Sequence, residues 1–404
     1  MAAALLSGCS LTQLLPGSGG EIKKAQLGDL PTAEEMTIKY NGYGFAALTS
    51  LEEKRLYAGI DRALQQNTSV EFTTEKLEDV DRVSDVLEFY KDDHPEVFWI
   101  DETAPYYYKE SGGVLSVQLH YKLEGAELEQ AKATLESKLE EITSEAPQGV
   151  SEYELELYVH NYIIQNCDYD TEAVEMHKQD TVRSNEQNVY GVLVEGRAVC
   201  EGYARAFQLL CERLDVRCWV IQGQALGFEG DGNTNHIWNC VMLNGEWYQV
   251  DVTWDDYDGA ETFGDEQYYY FNLTTAEMEK DHVIAPSYSD YDSNDVWYNG
   301  FVPQCDSTEY YYFYRNAHMI YDLDDSGNID WLVQAASTND SYCVYMISED
   351  LDFETTYNSI VQDYAYQWIS SANVINGYEP NIGDTCKLSA NDTRRIVTLI
   401  LVYE

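Results

Sequence analysis

One stretch constrains the fold more than any other: NHIWNCVMLNGEWYQVDVTWDD, residues 235–256. Asn244-Gly245 joins two runs rich in β-branched and aromatic residues, HIWNCVML and EWYQVDVTW. An Asn-Gly pair at such a junction signals a two-residue hairpin turn, because both turn positions need positive φ. The register follows from the turn. Leu243 faces Glu246, and Asp251 falls opposite Trp238. His236 then shares a face with Trp238 and lies diagonal to Asp251, about 7–8 Å away between backbones and within side-chain reach. By the same parity Trp254 points to the other face, so Trp238 is the expected wall of any site built there.

A second stretch, GRAVCEGYARAFQLLC at 196–211, predicts a helix through 196–214. Its apolar period begins only after the cysteine, with Tyr203, Phe207, Leu210 and Leu214 on one side. Cys200 therefore stands at the N-terminal end, where unpaired backbone N–H groups and the helix dipole favour a thiolate. Its backbone N–H is the natural first donor to an oxyanion, and the hydroxyl of Tyr190 is a candidate second. A thiolate nucleophile needs a base, and the base needs a partner to orient it; His236 and Asp251 supply those two chemistries. Cys211 lies on the apolar helix face, and Cys218 and Cys240 lie in strand-like runs, so these three read as buried thiols. The nine cysteines contain no CxxC pair, which argues against zinc ribbons and thioredoxin-like chemistry. With Cys9 and Cys200 set aside, seven are left, and an odd number cannot all pair internally.

These two stretches resemble the core of the transglutaminase-like superfamily of papain-related cysteine enzymes. The resemblance runs over roughly 150–285 and includes VYG at 189–191 and YYYFNLTTAEMEKDH at 268–282. It implies the order Cys, His, Asp, matching Cys200, His236 and Asp251. It further implies an acyl-enzyme resolved by water, as in a peptidase or amidase, or by an amine, as in transamidation. The substrate class is protein or peptide amides, including cell-wall peptides, and the mechanism calls for no cofactor and no metal. The rival reading is a non-catalytic module that keeps the fold to bind protein or cell wall.

The expected architecture is α+β: a central transglutaminase-like domain, its helix-borne cysteine packed on an antiparallel sheet, between two small α+β modules. Its 404 residues allow two to four domains at roughly 150 residues each. The expected segments are a tether at 1–21, an N-terminal module at 22–148, the catalytic domain at 149–296 and a C-terminal module at 297–404. In the first module, Thr49 with Glu52 predicts a capping box before a helix carrying Leu56, Ile60 and Leu64. A helix through Leu77, Val80, Leu87 and Tyr90 follows, then strands at 97–100 and 113–123, and a helix through Leu128, Leu135 and Leu139. His94 and His120 read as isolated surface or strand residues. Ala146-Pro147-Gln148-Gly149 marks the first break, after which Ser151 and Glu154 cap the next helix. His160 reads as helix packing and His282 as a boundary-loop residue, while Asp255 and Asp256 read as a turn. SYSDYDSNDVWYNG at 287–300 marks the second break. In the last module RRIVTLILVYE reads as a buried strand. DLDDSGNID places Asp322, Asp324, Ser326 and Gly327 at calcium-loop offsets, but Val333 stands where the loop needs its bidentate Glu, so a plain turn between strands is expected.

Charge narrows the partners. With 72 acidic against 24 basic side chains the net charge is −48, which repels nucleic acid and anionic lipid and draws cationic chains. The acid is spread along the chain with 34 tyrosines, so it belongs to folded surface. Leu6-Ser7-Gly8-Cys9 before a Gly/Ser/Pro-rich tether resembles the lipobox of bacterial lipoproteins. That resemblance implies a lipidated Cys9 and an extracytoplasmic protein anchored to the cell membrane.

Overall fold

The computed structural model describes residues 23–24, 31–80, 82–101, 103, 105–177, 185–226, 233–256, 265–285, 299–383 and 386–403. Cys9 and nearly all of the second expected break, 287–298, lie outside them. The chain divides into two compact units. One comprises Met1–Gly245 with Asp281–Pro303, the other Glu246–Lys280 with Gln304–Glu404. Among the described residues, no helix is long and apolar enough to cross a membrane.

In the first unit, helix α1 (Leu51–Leu64) starts at Ser50, whose hydroxyl accepts from the Glu53 amide while the Glu53 carboxylate accepts from the Ser50 amide. The capping box is thus one residue beyond the expected Thr49 and Glu52. Leu56, Ile60 and Leu64 are buried as their spacing requires. Strand β1 (Val70–Glu75), helix α2 (Arg82–Asp93), and strands β2 (Tyr106–Ser111) and β3 (Val114–Leu119) follow. β3 pairs antiparallel with both β1 and β2, and Lys23–Lys24 adds a short parallel edge to β1. Gly59 lets α1 lie directly on this sheet, since a Cβ there would sit 2.7 Å from the Phe72 ring. The structure differs from the sequence expectation at 97–100. Val97, Phe98, Trp99 and Ile100 are all buried, but only Ile100 bridges to Tyr121. Burial alone gave the run its strand-like composition. The expected helix start at Leu77 also moves, to Arg82.

Helix α3 (Gly125–Glu145) and helix α4 (Glu152–Asn166) flank the expected break, and Ser151 with Glu154 forms the expected capping box. Helix α5 (Cys200–Arg213) is shorter than the predicted 196–214, because Arg197–Ala198 is extended and pairs parallel with Asp168–Tyr169. Strands β4 (Arg217–Leu226) and β5 (Asn233–Leu243) pair antiparallel, with Gly223 opposite His236 and Ile221 opposite Trp238. The strand His282–Ile284 pairs with the other edge of β4, His282 opposite Ala225. α5 packs on this sheet through Ala204, which meets Val220 and Ile237.

The second unit begins after a turn in which Asn244 and Gly245 have φ of 51° and 90°, as the two-residue hairpin required. Strand β6 (Glu246–Val250) leads into helix α6 (Val252–Asp255). Further on, strand β7 (His318–Ile320), helix α7 (Ser326–Ser337), strand β8 (Tyr342–Ile347), helix α8 (Ala365–Ile375), and strands β9 (Lys387–Asn391) and β10 (Ile396–Ile400) form a separate α+β core. The sheet order is β7-β8-β10-β9, with β7 parallel to β8 and the other pairs antiparallel. Leu332, Tyr345, Trp368, Ile369, Val397 and Leu399 fill its core. The Asp/Gly stretch at 322–330 does not join two strands. Asp325 caps α7 by accepting from the Gly327 amide, so the turn residues begin a helix.

Candidate active site

The nucleophile candidate is set by how the chain reaches α5. Gly196, at φ 71°, redirects the backbone into the extended pair Arg197–Ala198. Val199 is the extended N-cap and donates its amide to the Glu186 carbonyl at 2.8 Å. Cys200 is the first helical residue. Gly202 allows the preceding loop to close over this turn, since a Cβ there would lie 2.7 Å from that of Ala198 and 2.9 Å from the Glu186 carbonyl oxygen. The Cys200 thiol is in no disulfide and half-buried, at the border of the cluster formed by Ala204, Val220 and Ile237. Cys211, Cys218 and Cys240 are buried thiols outside any disulfide, and burial foremost raises the first two above the usual thiol range. The helix start therefore distinguishes Cys200 from the interior thiols beside it.

His236 lies on β5 and is 7% exposed. Its ring stacks on Trp238 at 5.9 Å between centroids, and the His282 ring lies 5.4 Å away. His282 in turn meets Trp238 edge-on at 4.9 Å and pairs through Nδ1 with the Asp281 carboxylate at 2.8 Å. It is a buried strand residue within this ring cluster, not the boundary-loop residue the sequence suggested. A three-residue strand carries no readable alternation, and only its pairing with β4 brings it there. Along β5, successive side chains project to opposite faces. On the face of Ile237, Asn239 donates to the Ala204 carbonyl of α5 at 2.9 Å. His236 projects with Trp238.

Asp251 follows β6 and is fully buried. It does not continue the strand. Its Oδ1 accepts from the amides of Thr253 (3.0 Å) and Trp254 (3.2 Å), capping α6, and its own amide donates to the Tyr270 carbonyl. That cap fixes one carboxylate oxygen and with it the direction of the other. Trp254 is consequently helical, and the parity argument does not apply to it. Asp255, expected in a turn, is a buried helical residue that accepts from the Tyr270 amide at 2.8 Å. Burial foremost pushes its carboxyl well above the usual range, against the Tyr270 amide, with nearby Asp251 adding to the rise.

The remaining candidates have structural neighbours. The Tyr190 ring packs on Phe98 at 4.9 Å, and its amide donates to Asn188. His94 is not an isolated surface residue: its ring stacks on Tyr90 at 4.3 Å and its Nδ1 lies 3.2 Å from Glu96. His160 is buried in α4, as helix packing required.

A half-buried thiol at a helix start, with a buried histidine on the neighbouring antiparallel sheet, belongs to a mixed α+β fold. Residues 139–252 match the transglutaminase-like superfamily, and the chain carries that core. Kyphoscoliosis peptidase of Mus musculus is 28% identical over 147 residues, 35% of this chain and 21% of that protein. The Homo sapiens protein of the same name is 27% identical over 131 residues, 31% and 19% respectively. The matched stretch thus spans about a fifth of the length of these curated relatives. A crystal structure of a TGase aligns at a TM-score of 0.28 and 16% identity, over 48% of this chain and 54% of that one.

Proposed function

We propose that this chain is a cysteine acyltransferase or amidase acting on protein or peptide amides through Cys200, His236 and Asp251. The observation that carries the proposal is Cys200 itself, a half-buried thiol on the first residue of a buried helix. In the proposed reaction, His236 takes the thiol proton and the Cys200 sulfur attacks the carbonyl carbon. The oxyanion forms against the Cys200 backbone N–H at the helix start. Collapse breaks the C–N bond, the amine leaves with the proton from His236, and a thioester remains. Water or a second amine then attacks the thioester, returning the thiol. Asp251 is assigned to hold the imidazole, on the strength of the hairpin register and the Cys, His, Asp order of the family.

The pairing of the thiol with His236 is the step to test. Incubation of the full chain with a peptide-amide library and a labelled primary amine should yield hydrolysed or amine-labelled product. Cys200→Ser should abolish both, and His236→Ala should slow product formation by about 100-fold or more. Undiminished product from Cys200→Ser would refute the proposal. Amine label distinguishes transfer from hydrolysis. Anchoring at a bacterial cell surface through lipidated Cys9 belongs to the same proposal. It predicts metabolic incorporation of labelled palmitate that Cys9→Ala removes.

A further inference from the structure

The first turn of α5 carries a carboxylate immediately after the cysteine, and that carboxylate is buried. Glu201 is 9% exposed. A negative charge beside a thiolate opposes its formation, and a buried unpaired one would also oppose folding. Two cations meet it. Arg205 Nε, one helical turn along, lies 2.9 Å from Glu201 Oε1, and Lys91 Nζ of α2 lies 3.5 Å from the same oxygen. Arg205 is itself anchored to α2: Nη2 lies 3.2 Å from Asp92 Oδ1, and Nη1 donates to the Lys91 carbonyl at 2.9 Å. Gln208, on the next stretch of the same helix face, donates to the Asp92 carbonyl at 2.8 Å. Every charged group in this set except Glu88, 3.7 Å from Arg205, is nearly inaccessible to water.

We propose that the buried cluster of Lys91, Asp92, Glu201 and Arg205 is a positioning device for the nucleophile. Through it the C-terminal end of α2 clamps the first turn of α5 and neutralises the carboxylate next to Cys200. The inference rests on reading Cys200 as the nucleophile and adds a reason for the N-terminal module: the module supplies Lys91 and Asp92. Burial works to raise the Glu201 carboxyl, yet Lys91 and Arg205 hold it below its ordinary range, so the charge is present and compensated at neutral pH. Val220 and Ile237 face this turn from the sheet, with His236 adjacent in the chain to Ile237, and the loop before it contributes Glu186, whose carbonyl accepts from Val199.

The test is the pH dependence of Cys200 alkylation by iodoacetamide, read on the Cys200 peptide by mass spectrometry in the full chain. Arg205→Gln leaves Glu201 under-compensated and should raise the midpoint, slowing alkylation at neutral pH by about tenfold if the shift is about one unit. Glu201→Gln leaves the cations in excess and should lower the midpoint. The double variant should return toward the wild type. Opposite shifts are the signature, because a merely structural role would move both single variants alike or neither. Unmoved midpoints, or shifts of one sign, in proteins with native circular dichroism overturn the proposal. If Arg205→Gln does not fold, Glu201→Gln decides alone, and a midpoint that fails to fall overturns it. Amidase activity is read separately: loss of the proposed enzyme reading would show as no product from the wild type, whatever the midpoints do.

Discussion

Two buried arginines stand in comparable places and are satisfied in different ways. Arg205 sits in a network of opposed charges, with Glu201, Asp92 and Glu88 against itself and Lys91. Arg394, in the turn between β9 and β10, is fully buried in the second unit. Its Nη1 donates to the Glu277 carbonyl at 2.6 Å, its guanidinium lies over the Tyr270 ring at 4.5 Å, and Glu277 Oε2 is 3.9 Å away. Tyr270 also receives and gives the backbone bonds that hold Asp251 and Asp255. The first region supports its candidate catalytic residue with ion pairs. The second supports its own with a backbone carbonyl, a ring face and a carboxyl whose burial favours the protonated form.

That contrast predicts unequal costs. Arg205→Met strands Glu201 and Asp92 in a water-poor site, and losing one partner of a buried ionic cluster costs about 3–5 kcal/mol. Arg394→Met removes mainly a charge-assisted bond to a carbonyl, about 1.5–3 kcal/mol. Urea unfolding, with hydrogen exchange followed separately in α5 and in β9–β10, measures both. A larger loss from Arg394 would break the comparison, and equal losses would mean that the ionic cluster adds nothing beyond hydrogen bonding.

Neither arginine was foreseen in the sequence, whereas the helix start at Cys200 and the turn at Asn244-Gly245 were, and the reason is physical. Cys200 was legible because a glycine-punctuated loop gives way to an apolar period, and Asn244-Gly245 because that turn demands positive φ at both positions. Arg205 reads as part of a solvated face only if the helix has one. The signal passed over is that Gly202, Ala204 and Ala206 surround it, leaving α5 buried from Glu201 to Cys211. For Asp251, the β-branched run Val250-Asp251-Val252-Thr253 hid the end of β6. The strand stops where the aspartate side chain captures the amides that follow it, a local competition that alternation does not record. His282 and Arg394 reach their places only through contacts distant in the chain, with β4 and Glu277 respectively.

Asp255 holds its proton more tightly when folded, so its contribution to stability is full below the unfolded value of about 3.9 and declines as pH rises toward the folded value. Asp255→Asn keeps an acceptor for the Tyr270 amide and removes the titration. Its stability relative to the wild type should rise between pH 5 and pH 8, as measured by urea unfolding at each pH. A difference that stays flat would show that the Asp255 carboxyl titrates as it does in the unfolded chain.

The smallest effect is expected at Asp92, because the ionic cluster holds groups of both signs. Burial foremost raises the Asp92 carboxyl to about 7, against the Arg205 charge, so its share of stability declines as pH rises from about 3.9 to about 7. Glu201 is lowered instead, so its share is present above the unfolded value of about 4.3 and is lost as pH falls. The two slopes have opposite signs and occupy different pH windows: stability rises with pH through the Glu201 window in the acid range and falls with pH through the Asp92 window toward neutrality. Asp92→Asn should therefore gain on the wild type between pH 5 and pH 8 while leaving the acid limb intact, and Glu201→Gln should alter only the acid limb. Separate windows in paired urea titrations would show that the cluster divides its protons as its geometry does, with the carboxylate beside Cys200 charged throughout the range in which a thiolate could act.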